Sequence, residues 1–117
     1  MPPTRSTFAT IIKNTSLELD LQKNSIDNGE WSDGQYPPSS IAPNNQGTLQ
    51  AESTGFMTGD EGSVTYGSDA GVFSFTFDNP FVGSNSYNET FPDGYTVTRS
   101  GGGGENASVT WIIESSN

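Results

Sequence analysis

Apolar and polar residues alternate in short runs along this chain, and turn-forming residues separate the runs. Phe8, Thr10 and Ile12 alternate with Ala9 and Ile11 before Lys13-Asn14; Leu17, Leu19 and Leu21 alternate with Glu18, Asp20 and Gln22. A period of two with acids on the outer side marks a half-buried strand. Val72 to Phe77 repeats the pattern with Phe73, Phe75 and Phe77 on one face, and Ala107 to Ile113 with Val109, Trp111 and Ile113. Thr48 to Thr54, Ser63 to Tyr66 and Tyr95 to Arg99 read as further strands, and Glu30-Trp31-Ser32 as a short edge segment. Asp33 to Asn45 reads as a loop crossing between sheets, and Asn79 to Asn88 as a second loop, both rich in residues that favour turns. No run has helical periodicity. The pattern predicts an all-β fold: a single small antiparallel β-sandwich of about seven or eight strands, with residues 1–117 as one domain.

The stretch GFMTGDEGSVTY, Gly55 to Tyr66, sets glycines around two acids. A phosphate loop requires a following helix, whose amides hold the anion, and usually a lysine. Here a strand follows and no lysine is near. A calcium loop requires oxygen ligands at alternating positions, whereas adjacent Asp60 and Glu61 point apart in extended backbone. The expectation is therefore a hairpin turn between two antiparallel strands.

Composition narrows the function. Fourteen acids face four bases, for a net charge of −10, so the chain repels phosphate backbones and nucleic acid is excluded as a partner. The chain has no Cys and no His, which removes disulfides, thiol chemistry, the commonest general base and the commonest zinc ligand. Paired carboxylates could still hydrolyse a glycoside, but the acids fall at turns and on outward strand positions, and no base is present to activate a serine. The expectation is a protein that is not an enzyme and uses no cofactor or metal. The start, MPPTRSTFATII, lacks the apolar stretch of a signal peptide, so the expected location is the cytoplasm, or outside it by a route that needs no leader.

The aromatics carry more information. Trp31, Tyr36, Phe81, Tyr87 and Phe91 all lie in or beside turn-rich segments. Rings at such positions either plug the ends of a sandwich or stand exposed, where they contact a sugar, a lipid headgroup or a protein.

The segment Phe75 to Tyr87, FTFDNPFVGSNSY, resembles the aegerolysins, small acidic β-sandwich proteins within the actinoporin-like superfamily. Phe77-Asp78-Asn79-Pro80-Phe81 and then Gly83-Ser84-Asn85 match that family's aromatic–Asp–x–Pro–aromatic segment, and GDEGSVTY, FATIIKNTS and TWIIES are similar to other family strands. The likeness is nearest to the bacterial insecticidal crystal-protein branch and its fungal relatives. The chain departs by having Phe77 and Phe81 where the family usually has Trp, and Asn79 where it often has Cys. The resemblance implies a membrane-lipid binding protein, recognising sphingolipid with or without sterol and acting at target membranes. It further implies a targeting subunit for a perforin-like pore-forming protein, which gives a two-component cytolysin. The lipid-binding residues it implies are Trp31, Tyr36, Phe81 and Tyr87 for the headgroup region, with Asp60, Glu61 or Asp78 pairing with an ammonium; Thr58, Asp60 and Glu61 compete for one family acid. Self-sufficient pore formation is not expected, because MPPTRSTFATII is too short for an amphipathic pore-forming helix. The alternative is a carbohydrate-binding lectin-like sandwich, with Trp31, Tyr36 and Tyr87 stacking on sugar faces.

Overall fold

In a computed structural model, which describes residues 3–116, the chain forms ten strands and no helix. They are β1 (Ser6–Asn14), β2 (Leu19–Asn28), β3 (Glu30–Trp31), β4 (Ser40–Ile41), β5 (Gln46–Glu52), β6 (Asp60–Ser68), β7 (Gly71–Asn79), β8 (Ser86–Thr90), β9 (Tyr95–Gly101) and β10 (Asn106–Ser115). One five-stranded sheet runs β3-β5-β1-β10-β9; the other runs β4-β2-β6-β7-β8. The two stack as a β-sandwich, which is the fold class the alternation predicts.

The short edge segment at Glu30-Trp31 is β3; the strand count exceeds seven or eight because two-residue β4 is too short to carry a period, and because β8 lies partly inside the predicted loop Asn79 to Asn88. The antiparallel expectation is also corrected in one place. β1 and β10 pair in parallel over nine residues, from Ser6 opposite Asn106 to Asn14 opposite Glu114. No tight turn joins these two strands, so their relative direction is free of hairpin geometry.

The core follows from the alternation. β1 buries Thr7, Ala9, Ile11 and Lys13 between half-exposed neighbours, and β10 buries Ala107, Val109, Trp111 and Ile113. Across the sandwich β7 contributes Phe73, Phe75 and Phe77, and β6 contributes Val64 and Tyr66. Phe75 lies 5.0 Å from Trp111 between ring centroids, and Phe73 meets Tyr95 edge-on at 5.8 Å. With few aliphatic side chains available, these rings supply much of the core area, each burying about 150–250 Å². Lys13 is a buried cation among these inward residues; its ammonium donates to the Thr15 carbonyl at 3.0 Å. Burial lowers its affinity for a proton, and Glu18 partly offsets this.

Gly55 to Gly59 does not close a hairpin. It carries the chain from β5 in one sheet to β6 in the other, as does Gly29 between β2 and β3. The expected hairpin is thus an inter-sheet crossing; a glycine-rich turn has the same composition in both settings. The starts of β1, β6, β8 and β10 and the ends of β2, β5, β7 and β9 therefore collect at one end of the sandwich.

Candidate functional site

That end forms a rim of three turns around the segment Thr4 to Ser6. The first turn is Gly55 to Gly59. The Gly55 amide donates to Thr58 Oγ1 at 2.9 Å, and Thr58 Oγ1 donates back to the Gly55 carbonyl at 2.7 Å. This reciprocal clamp turns Phe56 and Met57 outward, 78% and 58% exposed. Met57 sits at φ 58°, a left-handed conformation that costs a non-glycine residue on the order of 1 kcal/mol. A Cβ on Gly59 would stand 2.2 Å from the Asn79 carbonyl oxygen, so only glycine lets this turn lie against the second one.

The second turn is Pro80 to Asn85. Arg5 pins it: Nε donates to the Pro80 carbonyl at 3.3 Å, Nη2 to the Phe81 carbonyl at 2.7 Å, and the guanidinium lies 4.6 Å over the Phe81 ring. Val82, beside it, is 82% exposed. The third turn is Gly101 to Glu105, held by Asn85, whose Nδ2 donates to the Gly102 and Gly104 carbonyls, and by the Tyr87 hydroxyl, which donates to Gly102 at 2.7 Å. Gly102 has φ 97°, and a Cβ there would meet the Tyr87 ring at 2.6 Å. A groove of about 580 Å³ opens between the second and third turns, flanked by Arg5 and Arg99.

Both arginines of the rim are paired. Arg5 pairs with Glu105 at 3.1 Å and Arg99 pairs with Glu89, so neither guanidinium stands ready for an anion. A second depression, of about 340 Å³, has Met57 and Phe81 on its lip and Asp60, Glu61 and Asp78 in its wall. Among the described residues, no three His, Cys, Asp or Glu side chains are grouped to hold a metal ion.

The structure divides the sequence-predicted residues. Phe81, Glu61 and Asp78 reach the rim, with Glu61 accepting from Asn28 Nδ2 at 3.1 Å. Tyr87 is half-buried, clamped to Gly102 and edge-on to Trp111 at 6.1 Å, so it shapes the groove wall. Trp31 is corrected: it lies inside, 9% exposed, its ring 5.8 Å from Phe77 and its Nε1–H donating to Asn24 Oδ1 at 3.0 Å. Flanking turn residues placed it outside, but a two-residue strand beside Ala51 of β5 draws it into the core. Tyr36 is exposed on the β3–β4 connection, where the Gln35 carbonyl accepts from the Gln50 amide of β5; it stands on the flank, away from the three turns. Asp60 is buried at 1% exposure. Its Oδ1 accepts from Thr7 Oγ1 at 2.6 Å, its Oδ2 has no partner, and desolvation pushes its pKa up to about 6. It cannot meet a headgroup as the side chain now lies. Sequence reasoning missed Phe56, Met57, Val82 and Arg5. The available signal was Phe-Met between turn glycines, a poor place for large apolar residues unless they face outward.

No protein-family model matches the chain. An uncharacterized Dictyostelium discoideum protein is 34% identical over 113 residues, 93% of this chain; the chain spans 10% of that protein's length. Among solved structures, the lipid binding protein Nakanori superposes with a TM-score of 0.76 at 11% identity, covering 94% of this chain and 71% of Nakanori. IP-1A from Alcaligenes faecalis superposes at 0.75 with 18% identity, covering 99% of this chain and 94% of IP-1A. What they share with this chain is the fold. A sandwich of this architecture therefore serves lipid binding in at least one of these proteins.

Proposed function

We propose that this chain binds membrane lipid through the three-turn rim. The observation that carries the reading is the projection of Phe56, Met57 and Val82 from two adjoining turns on one end of the molecule. Exposed apolar side chains grouped at a tip favour an apolar environment; burying each contributes about 1.5–3 kcal/mol. With Arg5 and Arg99 paired to acids on a chain of net charge −10, the surface that suits this rim is zwitterionic. The sandwich shared with a lipid binding protein and the resemblance at Phe77 to Asn85 support the same reading, and through the resemblance a sphingolipid, with or without sterol, as the lipid. In that reading Phe81 lies at headgroup level, and the Glu61–Asp78 wall faces the ammonium. The chain performs no catalysis, and a perforin-like protein is the partner that would convert binding into a pore.

Vesicle flotation tests this. Sphingomyelin–cholesterol, ceramide phosphoethanolamine and phosphatidylcholine vesicles are compared with wild type, Phe56→Ser/Met57→Ser and Val82→Ser. Selective flotation of wild type, lost at least tenfold in the double variant at unchanged Tm, is expected. Binding to an immobilised glycan but to no vesicle sinks the proposal, as does a double variant that floats like wild type.

A further inference from the structure

Two buried acceptors at the base of the rim have no donor. Asp60 Oδ2 and Asn79 Oδ1 are both unpartnered, and both residues are 1% exposed. They are direct partners across β6 and β7 and both point inward. Side chains so placed have Cβ atoms about 4.5–5.5 Å apart. The rest of each side chain is fixed. Asp60 Oδ1 accepts from Thr7, while Asn79 Nδ2 donates to the Ser6 and Glu105 carbonyls at 3.0 Å each, which sets its amide orientation. Two orphaned oxygens on directly paired, inward residues leave a donor missing, and a buried group without its partner is costly. A proton on Asp60 Oδ2 would supply that donor, and Asn79 Oδ1 would accept it.

The position of the pair gives the missing proton a consequence. Asp60 follows directly on the turn that carries Phe56 and Met57, and Asn79 directly precedes Pro80, Phe81 and Val82. We infer that Asp60 and Asn79 form a proton-operated latch: protonation ties the roots of the two apolar turns together and fixes them in their membrane-facing arrangement, and deprotonation loosens them. The inference rests on the lipid-binding reading of the rim and adds its regulation.

The charges around Asp60 agree with this. β1 presents Thr7, and Arg5 before it is committed to Pro80, Phe81 and Glu105. The β2–β3 connection presents Asn28 and Gly29. β7 presents Asp78, whose charge raises the Asp60 pKa, β6 presents Glu61, and β8 presents Tyr87, a neutral phenol. With Asp60 near 6 in the closed rim and 3.8 when exposed, the opening equilibrium rises about tenfold from pH 5 to pH 8.

Hydrogen exchange corrected for intrinsic rate reads the latch without lipid. Protection of amides in 55–60 and 81–86 should be about tenfold higher at pH 5 than at pH 8 in wild type. In Asp60→Asn, whose amide donates at any pH, it should be high and independent of pH. Asp78→Asn should keep the dependence with its midpoint moved to lower pH. Equal protection at both pH values, as a water donating to both oxygens would give, overturns the latch. Flotation on sphingomyelin–cholesterol vesicles should strengthen at pH 5 in wild type and lose its pH dependence in Asp60→Asn. Binding that ignores pH while protection changes overturns the regulatory role alone. If wild type floats at neither pH yet protection changes, the membrane reading fails and the latch stands.

Discussion

Trp31 separates a structural ring from a lipid-facing one. Its indole is 9% exposed, tilted 59° to Phe77 at 5.8 Å, and its N–H is held by Asn24. Replacing a buried Trp by Ala costs about 3–5 kcal/mol. β3 is an edge strand of two residues with one neighbour, β5, so the surroundings can collapse partly into the space and the low end, about 3 kcal/mol, is expected. In a domain of this size, that lowers Tm by on the order of 10–15 °C. Trp31→Phe keeps the ring contact but leaves Asn24 without its donor, costing about 1 kcal/mol because Asn24 is exposed and rehydrates. Urea unfolding followed by the fluorescence of Trp111, the other tryptophan, measures both variants. Vesicle binding under native conditions should survive Trp31→Phe. The placement is refuted if Trp31→Ala is within 1 kcal/mol of wild type while lipid binding disappears, since the indole would then be acting at the surface.

The buried carboxyl makes stability depend on pH with a definite sign. Asp60 titrates near 6 when folded and 3.8 when exposed, so the folded chain holds the extra proton between these values and stability falls as pH rises through them. The full shift corresponds to about 3 kcal/mol. Asp60→Asn should stabilise the protein by that amount at pH 7 in urea titrations and leave it unchanged at pH 4; an equal change at both pH values would refute the assignment. Gly102→Ala must adopt φ 97° and push against Tyr87, costing about 1–3 kcal/mol in thermal melts. Tyr87→Phe should cost about 1 kcal/mol by losing its bond to the Gly102 carbonyl, with faster hydrogen exchange in 101–105 and little change at β1. Either variant melting like wild type would show that the third turn is not held by this clamp.

On the lipid-binding proposal, the charge of the rim sets how salt should act. Fourteen acids repel anionic lipid, and the tip offers no free cation to offset this, since Arg5 and Arg99 are paired and Glu61 and Asp78 leave it acidic. Contact is then made by uncharged side chains, so it should weaken little as salt is raised from 0.05 to 0.5 M, in contrast to polybasic binding. A steep loss of flotation with salt would point instead to charge-mediated adsorption.

Period-two alternation determined the fold class from sequence alone, because a strand with one buried face must repeat every second residue. It also marked Phe73, Phe75, Phe77, Val109, Trp111 and Ile113 as core, and all are buried. The same local rule could not tell a hairpin from an inter-sheet crossing at Gly55 to Gly59, since both need a glycine-rich reversal. It could not see two-residue β4, nor the parallel match of β1 with β10, because pairing between chain ends leaves no local trace. The candidate site was legible only in part. Phe81, Glu61 and Asp78 were read as rim residues, and Trp31 was read outward for lack of knowledge of what covers it. Whether a ring in a turn faces water or core is decided by the element opposite it, and that element is remote in sequence. Phe56 and Met57 are exposed because Thr58 closes their turn and Gly59 lets it lie on Asn79; Asp60 is buried because Thr7 and Asn79 surround it. The Thr58 clamp is local, three positions from Gly55, but the other contacts join residues about twenty to fifty positions apart, and only tertiary packing brings them together.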